Sequence, residues 1–280
     1  MSFEEPAGSK GQRADQDFVA VKMKCNGMLS VPTYRKIYQA ACSAPEGIFV
    51  EVGTAHGASA IALGWAVADT GKSSKVYTFD RLIGGSRARY GGIDENLKII
   101  RGGFAQFGVS DIVEMHVGAS ETASAVIPDK RGIGLLMLDA DGIIDRDFRL
   151  FYNQLAPGAP IIIDDCGDRV KLKALPGGIV RSDLKHKLTF ELVALFEGAG
   201  LIEVYDASNE TIFARKTGSG EAVNFDDIDI ISAYRNIVFS EGSFAKPIFA
   251  WREWAATKLR DNYPLIYQRV LAYRAKASSG

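Results

Sequence analysis

"GIFVEVGTAHGASAIALGWAVADTG", residues 47–71, decides the fold. "GIFVEVG" is a short apolar run rich in branched and aromatic residues, which reads as a strand. "ASAIALGWAVADTG" follows with helical composition and closes on Gly71, a normal helix stop. Gly53 and Gly57 make the turn between them tight. The unit is therefore strand, turn, helix, and the rest of the chain can be tested against it.

The unit recurs. "KVYTFD" (75–80) is a strand ending on Asp80, and "IDENLKIIRGGFAQFG" (93–108) is amphipathic. "IVEMHVG", "GLLMLDA" and "APIIIDD" are three more apolar runs, with the helical "DRDFRLFYNQLAPG" before the last. "LTFELVALFEGAG" is a helix. "LIEVYDA" and "ETIFARK" after it are joined too tightly for a crossover, so they form an antiparallel pair. Strands alternating with helices imply a parallel sheet covered on both faces. The expectation is an α/β fold: a doubly wound, seven-stranded, mostly parallel sheet. Three regions follow: residues 1–46, a polar mobile tail and a cap helix ("VPTYRKIYQAAC"); 47–217, the sheet domain; and 218–280, a helical C-terminal extension.

Composition bounds the function. The 280 residues carry a formal net charge of -1, which argues against a broad basic face for nucleic acid. No apolar run approaches the roughly 20 residues of a membrane helix. The polar, acidic N-terminus is not a signal peptide, and three scattered cysteines without a CxxC fit a reducing cytoplasm.

In an open α/β sheet the ligand lies beyond the carboxyl ends of the strands. The loop "EVGTAHGAS" spans Glu51, Gly53, Thr54, Ala55, Gly57 and Ser59. It offers close backbone approach and the free N–H groups of a helix start. Asp80, ending the next strand, can accept hydrogen bonds from a ribose diol. Together these mark a nucleoside-containing cofactor. The spacing is GxxxG, unlike the GxGxxG of dinucleotide sites, and Glu51 would repel a pyrophosphate but suit a cationic cofactor. The pattern resembles the first motif of class I S-adenosylmethionine-dependent methyltransferases, whose Rossmann-like fold has the same terminal hairpin. That resemblance implies S-adenosylmethionine as cofactor, with Ala119 and Ser120 near the adenine and Asp139 also in reach. Ala119 stands where an acid is common. His56, in the same loop, reads equally well as a solvent-facing histidine.

Two apolar strands end on paired acids: "LLMLDADG" on Asp139 and Asp141, "PIIIDD" on Asp164 and Asp165. Converging carboxylates repel, and a hard divalent ion with oxygen ligands resolves this. The DxD and DD spacing resembles metal-dependent O-methyltransferases of the macrocin type and, more distantly, catechol O-methyltransferase. Carried over by position, Asp139, Asp164 and Asp165 hold Mg²⁺ or another divalent cation, and Asp141 is the general base. Helix capping by Asp141 is the bland alternative, and Asp145 and Asp147 read as surface charges in the first turn of that helix. Relatives usually carry an aromatic after DxD, whereas here Gly142, Ile143 and Ile144 follow. Cys166 likewise follows the second pair, where an aromatic is common. The expected activity is methyl transfer to a hydroxyl of a small sugar, diol or phenol.

Three other functions compete. A metal-independent methyltransferase would keep its activity in EDTA. An NAD-type oxidoreductase conflicts with GxxxG and Glu51. A non-catalytic module would not bind S-adenosylmethionine. The basic stretch holding Arg169, Lys171, Lys173 and His186 reads as a solvated loop, with acceptor contact the lesser reading. Arg87, Arg89 and Tyr90 are weaker candidates for the cofactor mouth. The aromatics of the extension (Trp251, Trp254, Tyr263, Tyr267, Tyr273) favour a homo-oligomer formed through it.

Overall fold

The computed structural model describes residues 13–83, 91–127, 132–174, 180–218, 222–239 and Ala255. Arg87, Arg89, Tyr90 and the aromatics of residues 251–273 lie outside them. In chain order the elements are α1 (Asp15–Lys24), α2 (Val31–Ser43), β1 (Ile48–Val52), α3 (Ala58–Thr70), β2 (Val76–Asp80), α4 (Ile93–Gln106), β3 (Val113–Val117) and β4 (Ile133–Leu138). They continue with α5 (Ile144–Phe151), β5 (Pro160–Ile163), β6 (Lys171–Ala174), β7 (Val180–Asp183), α6 (Lys185–Gly198), β8 (Ile202–Ser208), β9 (Thr211–Lys216) and α7 (Ile230–Phe239). No helix among the described residues is long and apolar enough to cross a membrane.

Seven strands form one sheet in the order β3-β2-β1-β4-β5-β9-β8. Five pair in parallel, and β9 runs antiparallel to both β5 and β8. This is the expected doubly wound sheet with its terminal hairpin. The central strands β1, β2, β4 and β5 are buried along their whole length, as strands covered on both faces must be. Alternate residues feed two cores. Phe49, Leu135, Met137 and Ile162 pack with Ile37, Ile61 and Trp65 of α2 and α3. Val50, Val52, Leu136, Leu138 and Ile163 pack with Phe148 of α5 and Phe196 of α6. Glu51 shares the face of Phe49 and is fully buried, a carboxylate at an apolar position.

Several expectations need correction. Part of the stretch expected to be a mobile tail is helical: α1 buries Phe18 and Val21, and Arg13 makes a two-pronged ion pair with Asp69 of α3. Its apolar residues are too few for the sequence to signal a helix, and tertiary contact supplies the rest. The basic loop after β5 contains a small hairpin of β6 and β7. Asp147 is no surface charge. It is 1% exposed and held by Arg146 and by the Ser120 hydroxyl, because the start of α5 packs against the short helical turn Ser120–Ala125 that follows β3.

Candidate active site

The sheet order reverses between β1 and β4, which is where such folds bind ligands. Backbone hydrogen bonds continue past the strand ends. Gly53 N–H donates to Phe79, Asp139 N–H to Val52, and Asp164 N–H to Leu138. These bonds set Gly53, Asp139 and Asp164 side by side. Gly53 has φ +101°, and a Cβ there would stand 1.9 Å from the carbonyl oxygen of Asp139. Only glycine permits that contact.

Asp80 fixes the loop after β1. Its Oδ2 accepts from Ala55 N–H at 2.9 Å and its Oδ1 from Leu82 N–H at 2.8 Å. Gly57, at φ +84°, begins α3 with no side-chain cap and no acid in the first turn, so the helix start presents bare N–H groups. Behind the loop, Glu51 Oε2 accepts from the Thr78 hydroxyl, which also meets Thr54. Glu51 Oε1 is buried without a well-formed hydrogen bond. Burial pushes the carboxyl up to about 7, the charge of Asp80 adds to this, and the hydroxyls of Ser59 and Thr78 oppose it. His56 is 3% exposed, so the solvent-facing reading fails.

Three cavities meet at Asp139. One of about 740 Å³ runs along Gly53, Phe79, Asp80, Ala119, Ser120 and Asp141. A second lies under the loop, against Asn26, Gly27, Tyr34, Thr54 and Ser59. A third, of about 330 Å³, is walled by Ser30, Thr33, Asp164, Asp165, Lys185 and Glu210. Every cofactor-binding residue expected from the sequence lines the first two cavities or supports their walls. Ser120 lines the first cavity while its hydroxyl donates to Asp147. The cap before residue 47 closes the third cavity. Thr33 meets Ser208 at 2.8 Å, and Asn209 donates to Ser30 at 3.1 Å.

Asp139, Asp164 and Asp165 each offer an oxygen within 4.8 Å of the other two. Burial and the neighbouring carboxylates Asp164, Asp165 and Glu51 hold Asp139 well above the usual carboxylate range, with Lys185 opposing. Asp164 is also raised, by burial and by Asp165, while the Thr211 hydroxyl it accepts works the other way. Asp165 differs. Burial disfavours its charge, but Lys185 and His186 hold it below the usual range. Its φ of +55° is rare for aspartate and turns its carboxylate away from the strand line. Three carboxylates so placed are a donor set for a hard divalent cation.

Sequence reasoning missed the groups around this triad. Lys185 touches Asp165 and lies 3.5 Å from Asp139. Burial disfavours the ammonium, yet Asp139 and Asp165 hold its pKa above the ordinary lysine value. His186, 3% exposed, stands 3.1 Å from Asp165 and 3.4 Å from Glu210. Glu210 in turn pairs with Arg169 and Lys171. Glu210 comes from the turn between β8 and β9, whereas Arg169, Lys171 and His186 belong to the stretch whose composition reads as a solvated loop. Their only signal was composition, which does not say which way a hairpin folds.

Asp141 does not join the triad. Arg146 grips it with both terminal nitrogens, at 2.9 and 3.3 Å, and the Ile143 N–H donates to it at 3.2 Å. Burial works against its charge, but these bonds hold it below the ordinary value. A carboxylate so held is a weak proton acceptor. It faces the 740 Å³ cleft and pins the start of α5, so the capping alternative describes its contacts better.

A family model described as a methyltransferase domain matches residues 50–166. No curated protein sequence matches the chain. Solved structures share the fold. The O-methyltransferase TomG from Streptomyces achromogenes, in complex with SAM, is 16% identical with a TM-score of 0.50, over 75% of this chain and 92% of that one. Cofactor-bound Rv0187 from MTB is 16% identical with a TM-score of 0.52, over 74% and 92%. The SAH-bound Podospora anserina methyltransferase PaMTH1 is 14% identical with a TM-score of 0.50, over 72% and 88%.

Proposed function

We propose, from the premise that this chain is a methyltransferase of the class I fold, that it moves the methyl group of S-adenosylmethionine to a hydroxyl of a small molecule, aided by a divalent cation. The observation that carries this is Asp139, which lines all three cavities. Cofactor cleft and acid cavity therefore share one wall. Asp80, Asp139 and Asp141 face the cleft together with Arg81, Arg146 and Arg181, and Arg146 is spent on Asp141. The acids beside the loop after β1, Asp80 and Asp139 with Glu51 behind, suit a cationic sulfonium there. The SAM and SAH in the related structures support the same cofactor here.

In this proposal Asp80 takes the ribose hydroxyls and the α3 start receives the cofactor's carboxylate. Ala119 packs beside the adenine. Asp139, Asp164 and Asp165 would hold Mg²⁺ or a similar ion, which when bound orients a hydroxyl and makes it more acidic. The hydroxyl proton leaves to the carboxylates and solvent of the acid cavity. Asp141, held by Arg146, is given a positioning role in place of the base role expected from its sequence position. Two oxygens on adjacent carbons suit such a site, which favours a sugar, diol or phenol.

The test is turnover of sugars, vicinal diols and catechols with S-adenosylmethionine, with and without EDTA, alongside calorimetric binding of the cofactor. Activity that EDTA abolishes and Mg²⁺ restores supports the reading. Activity untouched by EDTA removes the metal and keeps the methyl transfer.

A further inference from the structure

The acid triad already carries a cation of the chain's own. Lys185 is the first residue of α6, and its side chain is 20% exposed. A cation in the first turn of a helix opposes the helix dipole, so local preference does not put it there. Its ammonium touches Asp165 and lies 3.5 Å from Asp139, while Asp164 is engaged by Thr211 instead.

Gly142 makes room for it. Gly142 has φ +84°, and a Cβ there would stand 2.9 Å from both Cγ and the carbonyl oxygen of Lys185. Any larger residue after Asp141 would push the first turn of α6 away from the acids. The glycine that breaks the family pattern and the lysine on a distant helix are two halves of one arrangement.

We propose that Lys185 is a positioning residue of the acid site, the resident counter-charge of Asp139 and Asp165, and that it opposes a divalent cation at those same carboxylates. The inference rests on the metal reading above and deepens it. With a divalent ion bound and all three acids ionised, the triad and the ammonium leave two negative charges, which that ion balances. The ammonium and the ion repel at short range, so the ion is held more weakly than by a bare triad and exchanges readily.

The test uses the full chain as parent, Lys185→Met and Lys185→Arg, with Mn²⁺ alone as probe. Calorimetry gives Mn²⁺ affinity, and thermal unfolding in EDTA gives metal-free stability. Lys185→Met is expected to bind Mn²⁺ at least about tenfold more tightly than the parent. It should also melt earlier in EDTA, while Lys185→Arg, which keeps the charge, stays near the parent in both. Equal or weaker Mn²⁺ binding by Lys185→Met, or unchanged melting in EDTA, overturns the inference and leaves the metal reading intact. No Mn²⁺ binding by any of the three proteins overturns both. If Lys185→Met does not fold, Lys185→Gln carries the same comparison.

Discussion

Gly53 and Asp139 meet backbone to backbone, with no room for a single methyl group between them. That contact fixes the spacing of β1 and β4 where the three cavities join. Gly53→Ala must either strain a φ of +101° or move the Asp139 carbonyl. It should cost about 3 kcal/mol of stability. Affinity for S-adenosylmethionine should fall at least about tenfold, since the wall it rests on shifts. Urea unfolding and cofactor titration check both. A variant with parental binding would mean that the contact does not shape the cleft.

Glu51 gives the protein a pH signature. Its folded pKa is about 7 against 4.5 for an ordinary glutamate, because burial disfavours the charge. A raised pKa contributes stability that is complete below pH 4.5 and lost as pH rises through about 7. The cofactor-free protein should therefore lose about 3 kcal/mol across that window from this group. Glu51→Gln cannot ionise, so its urea stability should fall about 3 kcal/mol less than the parent's across that window, the remaining slope coming from Asp139 and Asp164. If its slope matches the parent's, the buried charge lies elsewhere. The same variant should bind S-adenosylmethionine more weakly.

Asp141→Asn separates base from positioning residue. Loss of a general base typically lowers kcat by about 100-fold or more. The pairing with Arg146 predicts less: a fall in kcat under about tenfold, an unchanged pH profile and weaker cofactor binding. Steady-state kinetics across pH decide it.

Arg146→Met probes the same network from the other side. It leaves Asp147, only 1% exposed, without its cation and with only the Ser120 hydroxyl. Isolating one half of a buried pair costs about 3 kcal/mol. Arg146→Met,Asp147→Leu should regain most of that loss in thermal unfolding, because it also removes the isolated charge. A double variant no more stable than Arg146→Met would refute the explanation.

Thr33→Val tests the cap. Thr33, 1% exposed, ties α2 to Ser208 and to Ser30 beside the acid cavity. Valine keeps the shape and removes the hydroxyl, at about 1–2 kcal/mol. KM for the acceptor should rise while cofactor affinity holds, since Thr33 lines the acid cavity and not the cleft of Asp80.

How far the sequence reaches is visible in particular residues. Apolar runs of strand length alternating with helices specified the sheet, because period and burial are written locally. Gly53, Asp80, Asp139, Asp164 and Asp165 were legible for the same reason. They sit where strands end, and in this topology strand ends share one edge. Lys185, His186 and Glu210 were not legible. They come from the start of α6 and from the turn between β8 and β9, so their approach to the acids depends on how those two distant elements pack beside the end of β5. The pairing of Asp141 with Arg146 was not legible either, because it depends on how the first turn of α5 sets Arg146 against the end of β4. Sequence alone determined the fold, the glycine turn after β1 and the placing of acids at the ends of β4 and β5. Only tertiary structure decided which cation each acid meets, because a charge is balanced by whatever lies within a few ångströms, and distance in the chain does not report that.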